Sequence, residues 1–378
     1  MNSKKILFIY YQNIKPNGVS KVLANLTWEL VEKGHDIEIL FLMAPHDDFY
    51  AIHPQIKKHY IDSFDNKYSK IGTKIIKKYS HLPKAYNIHS YFYDYGSHQV
   101  LDEWIENNHQ HYETIVSCWY KLSSMLSLNR KVSKKTIAWE HMSHFSGGYF
   151  WKNLLRKHFR NLKAVVGTYK KGSEYYRPIN PNYHTIYNLM DDYCETVPFF
   201  PPDEKENIIS VVARLDPEKN LLAFLEIIKN TKFTKPWKVK IVGNGRQKVE
   251  LENYIAENNL AERVELLGSK NIDEVYELIK KSKINCLTSE AEALPTILIQ
   301  AMFSSNALVA YDCNFGPADI ISEKNGFLIP MNDQKLFKEK LELLEQNETL
   351  LNQLMKSSYE QSALWKKGEI INQWEKIL

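Results

Sequence analysis

The sequence predicts an α/β protein built from two doubly wound domains that face a central cleft. The chain has 378 residues, which is enough for two domains that each bury a core. Short apolar segments alternate with amphipathic helical segments in both halves, as they do in parallel sheets. A proline-rich run over 197–202 separates the halves. Because ligands of such sheets bind beyond the carboxyl ends of the strands, we expect the chemistry in the cleft.

The N-terminal half begins with a βαβ unit. Apolar periodicity predicts strands over 6–11 and 37–42, with a turn at Asn17-Gly18 and a helix over 20–32 between them. Further strands are predicted over 114–117, 136–139, 163–167 and 184–187. Residues 66–110 are rich in Tyr, His and Lys and give no clear periodicity.

The C-terminal half alternates more regularly. Strands are predicted over 208–212, 238–242, 264–267, 284–287 and 307–310, helices over 221–228, 248–258, 272–280 and 296–303, and more helices after 333. The last helix carries the apolar residues Trp365, Ile370, Ile371 and Trp374, which need a core to cover them. We therefore predict an N-terminal domain of 1–196, completed by a helix at 365–378, and a C-terminal domain of 203–364.

Composition excludes several classes of protein. An apolar fraction of 44% excludes a disordered chain, and no apolar run approaches the roughly 18 residues of a membrane span. We expect no signal peptide, and the scattered cysteines at 118, 194, 286 and 313 fit free thiols in a reducing cytoplasm. The net charge of +4 is divided unevenly: residues 1–190 carry 26 Lys and Arg against 15 acids, and residues 191–378 carry 23 against 30.

Three motifs could carry chemistry. Gly18, at the start of the first helix, would let a ligand approach backbone N–H groups. Arg214 follows the first strand of the second domain and Lys219 begins the next helix, so this pair suits a diphosphate. Glu292 lies in a loop and Gln300 two helical turns later, so they could address two parts of one extended ligand. The alternatives are an ordinary turn for the first motif, a solvated loop for the second and two unrelated surface residues for the third.

These motifs resemble the retaining glycosyltransferases of family GT4, which have the two-domain GT-B fold. The resemblance rests on Ala213-Arg-Leu215 with Lys219, on Glu292 to Gln300, on Phe315-Gly-Pro317 and on Asn325-Gly-Phe-Leu328. It covers residues 205–330 well. The N-terminal domain contributes only Asn17-Gly18 and Trp139-Glu-His141.

The resemblance implies a role for each matching residue. Arg214 and Lys219 would hold and stabilise the leaving diphosphate, with Gly18 against the same phosphates, and Glu292 would lie beside the donor sugar. The remaining donor-binding residues would be Asn17, Gly243, Gly268, Ser269, Leu294, Thr296, Ile297 and Gln300. The family usually has Glu at position 300, and Gln300 would accept the ribose hydroxyl bonds without charge assistance.

His141 follows the strand at 136–139 and would face the cleft, where the family has a histidine that contacts sugar or acceptor. The neighbouring His144 is a weaker candidate, and a structural role is the alternative for both. A metal site formed by these two histidines would need carboxylate or cysteine ligands that the sequence does not show. The chain has no Asp-x-Asp motif, so we expect a metal-independent transferase without a cofactor.

Two basic segments point to the acceptor. Six lysines and no acid lie over 67–84, and seven cations and no acid lie over 142–172, both interleaved with apolar residues. Such faces suit an anionic membrane, so we expect a peripheral protein at the inner face of the cytoplasmic membrane. Two solvated helices are the alternative, and nucleic acid is a weaker one.

The leading hypothesis is a bacterial-type hexosyltransferase that builds a surface polysaccharide, capsule or lipopolysaccharide. It would use a UDP-sugar and a lipid-linked or envelope glycan acceptor, with retention at the anomeric carbon. One alternative is a non-catalytic GT-B subunit of a glycosyltransferase complex, because Glu is replaced by Gln at position 300. Another is a nucleotide-sugar epimerase of similar fold, which needs acids and bases that the sequence does not reveal.

Overall fold

A computed structural model describes residues 3–15, 17–81, 85–142, 147–292 and 294–378. The chain divides into an N-terminal unit, Met1–Leu189 with Ile370–Leu378, and a C-terminal unit, Met190–Glu369. Each unit has its own apolar core around a parallel sheet.

The described part of the N-terminal unit contains a seven-stranded parallel sheet in the order β3-β2-β1-β4-β5-β6-β7. Because the order reverses between β1 and β4, the carboxyl ends of these two strands form a crevice, which is where open α/β sheets bind ligands. The strands are β1 (Lys5–Tyr10), β2 (Asp36–Phe41), β3 (Lys57–Tyr60), β4 (Thr114–Ser117), β5 (Thr136–Glu140), β6 (Ala164–Gly167) and β7 (Tyr183–Thr185).

The helices of this unit pack on both faces of the sheet. They are α1 (Gly18–Glu32), α2 (Lys67–Tyr79), α3 (Ala85–Asn108), α4 (Tyr120–Leu128) and α5 (Lys170–Glu174), with a π-helical turn at Phe150–Leu155 and a 3₁₀ segment at Arg156–Asn161. The segment without clear periodicity therefore forms α2 and α3. In α3, apolar, aromatic and polar side chains alternate around the whole helix, so the sequence shows no single apolar face. Gly18, which was predicted to lie in a turn, is the first residue of α1, so this helix begins two residues before its predicted start.

The described part of the C-terminal unit contains a six-stranded parallel sheet in the order β10-β9-β8-β11-β13-β15, with a short parallel pair, β12-β14, beside it. The strands are β8 (Glu206–Val212), β9 (Lys238–Val242), β10 (Val264–Gly268), β11 (Ser282–Leu287), β12 (Ala291–Glu292), β13 (Ala307–Tyr311), β14 (Asn314–Phe315) and β15 (Gly326–Ile329). Here the order reverses between β8 and β11.

Nine helices of the described residues begin in this unit. They are α6 (Tyr193–Thr196), α7 (Leu221–Asn230), α8 (Lys248–Glu257), α9 (Ile272–Lys281), α10 (Thr296–Phe303), α11 (Pro317–Ile320), α12 (Gln334–Gln346), α13 (Glu348–Ser362) and α14 (Lys367–Glu375). None of the described helices in either unit is both long and apolar enough to cross a bilayer.

The connector before β8 is part of the C-terminal unit rather than a free linker. The ring of Tyr193 stacks on Tyr276 at 3.6 Å, and its hydroxyl lies 3.2 Å from Ser304 Oγ. The backbone N–H of Phe200 donates to Ser305 Oγ at 3.1 Å. These contacts explain why the two units divide after Leu189, several residues before the proline-rich run.

The end of the chain belongs to the N-terminal unit. The side chains of Ile370, Ile371 and Trp374 are buried in its core, and the Trp374 ring meets Trp139 edge to face at 5.1 Å. The Leu378 carbonyl accepts hydrogen bonds from Thr114 Oγ1 at 2.8 Å and Lys163 Nζ at 2.7 Å. Trp365, by contrast, is buried within the C-terminal unit.

Candidate functional site

The candidate site in the C-terminal unit forms where the loops after β8 and β11 leave the sheet at its carboxyl edge. The first loop carries Arg214 and leads through a 3₁₀ turn to Lys219, and the second leads to Glu292 in β12. Because β8 and β11 are neighbours in the sheet, residues 73 positions apart in sequence come together. The structure therefore joins the second and third motifs of the sequence into one cluster.

Lys219 and Glu292 form the shielded part of this cluster. Lys219 Nζ lies 2.6 Å from Glu292 Oε1, and each side chain is only 16% exposed. The Ser289 hydroxyl donates to the same carboxylate oxygen at 2.7 Å, and Thr288 Oγ1 donates to the Lys219 carbonyl at 3.1 Å. The pair is thus held in a fixed geometry from both loops.

Arg214 is the exposed part of the cluster, with 66% of its side chain accessible. Its guanidinium contacts the carboxylates of Asp216 and Glu218, and Arg246 shares Asp216 at 3.2 Å. Hydrogen bonds from the Arg246 backbone and side chain, with the nearby Arg214 charge, lower the pKa of Asp216. Exposed ion pairs of this kind are weak, so Arg214 can exchange these partners for a ligand anion.

Glycines let the neighbouring loop come close to Arg214. Gly243 has φ +150°, and a Cβ there would lie 1.8 Å from the Ala213 carbonyl oxygen. The Leu215 N–H donates to the Asn244 carbonyl at 2.9 Å, and the Gly243 N–H donates to Gly268. These contacts fix the backbone on both sides of Arg214. Ser269 follows at the exposed end of β10.

Helix α10 starts beside Glu292. Thr296 is its first residue and is exposed, while Leu294 and Ile297 are half-buried. The first N–H groups of a helix have no partner inside the helix, so those of Thr296 and Ile297 can face an anion. Pairing of β12 with β14 also places Phe315-Gly316 against Glu292, with the Gly316 N–H donating to the Glu292 carbonyl at 3.4 Å.

Gln300 occupies a different environment from the one its motif suggests. Its side chain is 7% exposed, and its Nε2 donates to the Tyr276 hydroxyl at 3.1 Å and lies 3.5 Å from Asp191 Oδ2. The Tyr276 hydroxyl donates to the same Asp191 oxygen at 3.2 Å. Burial, together with the nearby Asp191 charge, raises the pKa of Tyr276, which therefore stays a neutral donor. Sequence reasoning missed Asp191 and Tyr276 because neither lies near the motif in sequence.

In the N-terminal unit, Asn17 and His141 lie at the carboxyl ends of strands. Asn17 caps α1, its Oδ1 accepting from the Val19 N–H at 2.8 Å, and nothing lies within 4 Å of a Cβ built on Gly18. His141 directly follows β5, with its ring 4.3 Å from that of Trp139. Among the described residues its buried Nε2 has no hydrogen-bond partner, and burial lowers the pKa of His141 to about 3. His144 lies outside the described residues.

The second basic segment is not the uniform surface face that the sequence suggested. Arg156 is fully buried, with its Nη2 3.5 Å from Glu140 Oε2 and its guanidinium 4.4 Å from the Tyr120 ring. Glu140 also accepts from the Tyr176 hydroxyl at 2.8 Å. The expectation of a surface cation at Arg156 is therefore wrong, because this arginine neutralises a buried carboxylate next to His141. Residues 150–161 of the segment form π and 3₁₀ turns, and its last residues form the strand β6 and the start of α5.

A cavity that the sequence did not indicate opens at the carboxyl ends of β1 and β4. It holds about 490 Å³ and has an aromatic wall and a half-buried ion pair, Lys121 with Asp94, at 2.7 and 2.9 Å. Its aromatic lining consists of Tyr10, Tyr11, Phe64, Trp119 and Tyr120. No group of three or more possible metal-binding side chains occurs within the described ranges.

Comparisons with known proteins find one family and several glycosyltransferases that are similar to this chain. The family described as "Glycosyl transferases group 1" matches residues 195–361. The amylovoran biosynthesis glycosyltransferase AmsD of Erwinia amylovora is 34% identical over 175 residues, 46% of this chain and 48% of that protein, so the match spans about half of each. An α-1,4-N-acetyl-D-galactosaminyltransferase of Campylobacter jejuni, named for a diNAcBac-PP-undecaprenol-linked glycan, is 24% identical over 99% of this chain and 98% of its own length.

Solved structures show the same fold. The lipopolysaccharide outer core galactosyltransferase WaaB matches with a TM-score of 0.78 and 19% identity over 99% of this chain and 98% of its own. HepE of Anabaena, solved with UDP and glucose, matches with a TM-score of 0.65 and 13% identity over 99% and 98%. The expected GT-B fold is confirmed.

Proposed function

We propose that the chain is a group 1 glycosyltransferase, the family whose model matches residues 195–361, and that it transfers a hexose or N-acetylhexosamine from a UDP-sugar to a hydroxyl of a lipid-linked or envelope glycan. The observation that carries the proposal is the cluster of Arg214, Lys219 and Glu292 at the switch between β8 and β11. Two cations beside a helix N-terminus suit a diphosphate, and an adjacent shielded carboxylate suits a sugar.

The reaction proposed is transfer with retention at the anomeric carbon. The bond from this carbon to the diphosphate oxygen breaks, and the acceptor hydroxyl attacks from the same face. The hydroxyl proton passes to the departing phosphate oxygen. Arg214 and Lys219 stabilise the charge that develops on the diphosphate, each by about 2–4 kcal/mol as for other oxyanion donors. Since these two cations balance the diphosphate charge, the proposed mechanism uses no metal.

The rest of the donor site follows the resemblance. Gly243, Gly268 and Ser269 would flank the base, and Leu294 with the N–H groups of Thr296 and Ile297 would face the phosphates or the sugar. In the N-terminal unit, Asn17 and Gly18 at the start of α1 would bind phosphate, and His141 would contact the sugar or the acceptor. Because Gln300 is engaged with Tyr276, its amide oxygen is the group left to accept from a ribose hydroxyl.

The class of acceptor and the cellular location of the protein are also part of the proposal. The Campylobacter relative is named for an undecaprenol-linked glycan and AmsD for amylovoran biosynthesis. In this chain α2 carries five lysines and no acid, which favours an anionic surface. We therefore place the protein at the inner face of the cytoplasmic membrane, bound peripherally.

Donor binding and turnover test the proposal. Thermal shift against UDP-, GDP- and dTDP-sugars should show stabilisation by one UDP-sugar, and that sugar should be hydrolysed or transferred. Arg214→Ala and Lys219→Ala should each lower kcat about 10²–10³-fold, and the melting temperature of the exposed-site variant Arg214→Ala should change little. The control is Arg177→Ala, an equally exposed arginine outside the cluster. Near-native turnover in both variants would refute the site assignment.

A non-catalytic subunit is the second candidate, and the replacement of Glu by a buried Gln300 favours it. Nucleotide binding without turnover of any tested sugar, by a well-folded wild-type protein, would support this candidate over the enzyme.

A further inference from the structure

The N-terminal unit has a second cavity, of about 720 Å³, whose walls are almost entirely apolar. Helix α3 contributes Tyr91 and Tyr95, helix α4 contributes Leu128, and the π-helical turn contributes Phe150 and Trp151. Cavities of this size hold small organic ligands rather than water alone. An inference about its occupant rests on the glycosyltransferase function proposed above.

The apolar cavity shares a wall with the aromatic cavity described above. Asp94 lines both. Lys121, which binds Asp94, lies over the Trp151 ring at 5.2 Å, and Tyr120 meets Trp151 edge to face at 6.0 Å. A polar, aromatic compartment at the strand ends therefore adjoins an apolar compartment, with one ion pair between them. This arrangement suits an amphiphile with a sugar at one end and a hydrocarbon at the other.

Side chains around the apolar cavity are unusually exposed. Tyr91 is 47% exposed, Tyr95 49%, Leu128 45% and Phe150 37%. Isolated apolar residues on a surface need no explanation, but four around one cavity form a patch of the kind that marks a ligand or membrane site. Their exposure leaves the cavity open for a long chain to enter.

The charges nearby suit an anionic amphiphile. Helix α2 packs against α3, and its lysines include Lys74, Lys77 and Lys78. No acid occurs between Lys67 and Lys84 in the sequence. A lipid whose polar end carries phosphate would be attracted to this side of the unit, whereas a neutral hydrophobic peptide would gain nothing from it.

We propose that the apolar cavity holds the hydrocarbon chain of the lipid-linked acceptor, whose sugar occupies the aromatic cavity beside Asp94 and Lys121. The two compartments then select the acceptor together: the aromatic faces and the ion pair bind the sugar, and the apolar walls bind the lipid. Acceptors without a lipid chain would be poor substrates even where their sugars are correct.

A fluorescent lipid tests the cavity without any donor or turnover. Dansylaminoundecanoic acid should bind the wild type saturably, one probe per chain, and farnesyl monophosphate should displace it. Leu128→Lys, which puts a charge into the cavity, should weaken probe binding about tenfold or more. Leu154→Lys is the matched control, because Leu154 has the same 45% exposure as Leu128 and lies on the π-helical turn without lining the cavity, and it should change binding less than about twofold.

Tyr95→Lys, on a different helix, provides a second variant, and far-ultraviolet circular dichroism verifies that each variant is folded. Equal loss in Leu128→Lys and Leu154→Lys would indicate adsorption to the surface patch and overturn the proposal. The proposal would also be overturned if phosphatidylglycerol vesicles displaced the probe and farnesyl monophosphate did not, because the cavity would then bind bilayer lipid. Absence of probe binding in a protein that still hydrolyses its UDP-sugar would refute the cavity and leave the proposed function standing.

Discussion

At the scale of single residues, the candidate donor site combines one sheltered ion pair with one exposed arginine. Lys219 and Glu292 are held from two loops, whereas the exposed Arg214 contacts Asp216, which is largely buried, and Glu218, which is partly exposed. A sheltered pair keeps its geometry before a ligand arrives, which reduces the reorganisation that binding requires. The exposed side chain of Arg214 can change its conformation to contact a phosphate.

Gln300→Glu should destabilise the protein by roughly 1–3 kcal/mol, because it places a carboxyl beside Asp191 and removes the donor to Tyr276. The unfolded chain ionises this carboxyl above about pH 4.3, whereas the buried site resists its charge. The loss of stability should therefore be larger at pH 8 than at pH 5, as urea unfolding would show. The exposed Gln334→Glu is the control.

The family resemblance further predicts that Gln300→Glu binds nucleotide more tightly, as calorimetry would show. An unchanged affinity would remove Gln300 from the ribose site.

His141 should make the N-terminal unit sensitive to acid. Burial holds its pKa near 3, below the value of about 6.5 in an unfolded chain. The folded state therefore resists a proton that the unfolded state accepts, so stability present above pH 6.5 is lost as the pH falls towards 3. By pH 5 the loss should be roughly 1–2 kcal/mol. His141→Gln should flatten the unfolding profile between pH 7 and 5, and an unchanged slope would contradict the burial.

Motif spacing predicted the positions of Arg214, Lys219 and Glu292 because each follows a strand that is apolar and short. It could not predict the partners of Gln300 or the cavity beside Asp94. Asp191 and Tyr276 meet Gln300 only through packing of distant segments, and α3 shows no apolar periodicity that would place Asp94 on a wall. Sequence patterns along one segment carry no information about contacts of this kind.

At the scale of elements, the strands were easier to predict than the helices around them. Most strands of both sheets are continuous apolar runs, as expected where helices cover both faces. Two edge strands were missed: β3, whose polar residues are half-buried or exposed, and β15, a four-residue strand that begins with a glycine. Each strand ends where its apolar run ends, so the sequence also indicates where the loops that carry the candidate binding residues begin.

Helix α1 offers a test of whether its first residue meets a ligand. Gly18→Ala should be neutral or slightly stabilising, by about 0.5 kcal/mol or less, because nothing surrounds a Cβ at this position and alanine favours a helix. If phosphates approach the backbone there, kcat/KM for the donor should fall although the protein is no less stable. Gly368→Ala in α14, which is also unobstructed, should change neither quantity. Full activity of Gly18→Ala would remove this residue from the donor site.

At the scale of the whole molecule, the charge is divided between a basic N-terminal half and an acidic C-terminal half. Counting charges along the sequence overstates the positive charge at the surface of the N-terminal unit. Arg156 is buried against Glu140, and Lys163 donates a hydrogen bond to the Leu378 carbonyl. Lys157, Arg160, Lys170 and Lys171 of the second segment stay exposed, and α2 presents its five lysines at the surface with no acid among them.

Reversing three charges on α2 should abolish membrane association if it occurs there. Wild-type protein should float with phosphatidylglycerol-rich vesicles at low salt, and Lys74→Glu with Lys77→Glu and Lys78→Glu should not, because anionic lipids attract each lysine by about 1 kcal/mol. The matched control reverses Lys229, Lys248 and Lys280 of the C-terminal unit, which should leave flotation unchanged. Equal flotation of both triple variants would contradict a role for α2.

Helix α14 begins in one unit and ends in the core of the other, and this has a consequence for how the chain is made. A ribosome must synthesise all of Met190–Glu369 before the residues that bring Ile370, Ile371 and Trp374 into the first core exist. The earlier-made unit therefore waits with an unfilled apolar groove, while the later-made unit can fold as soon as it emerges. The unit whose translation begins first is therefore the unit whose core is completed last.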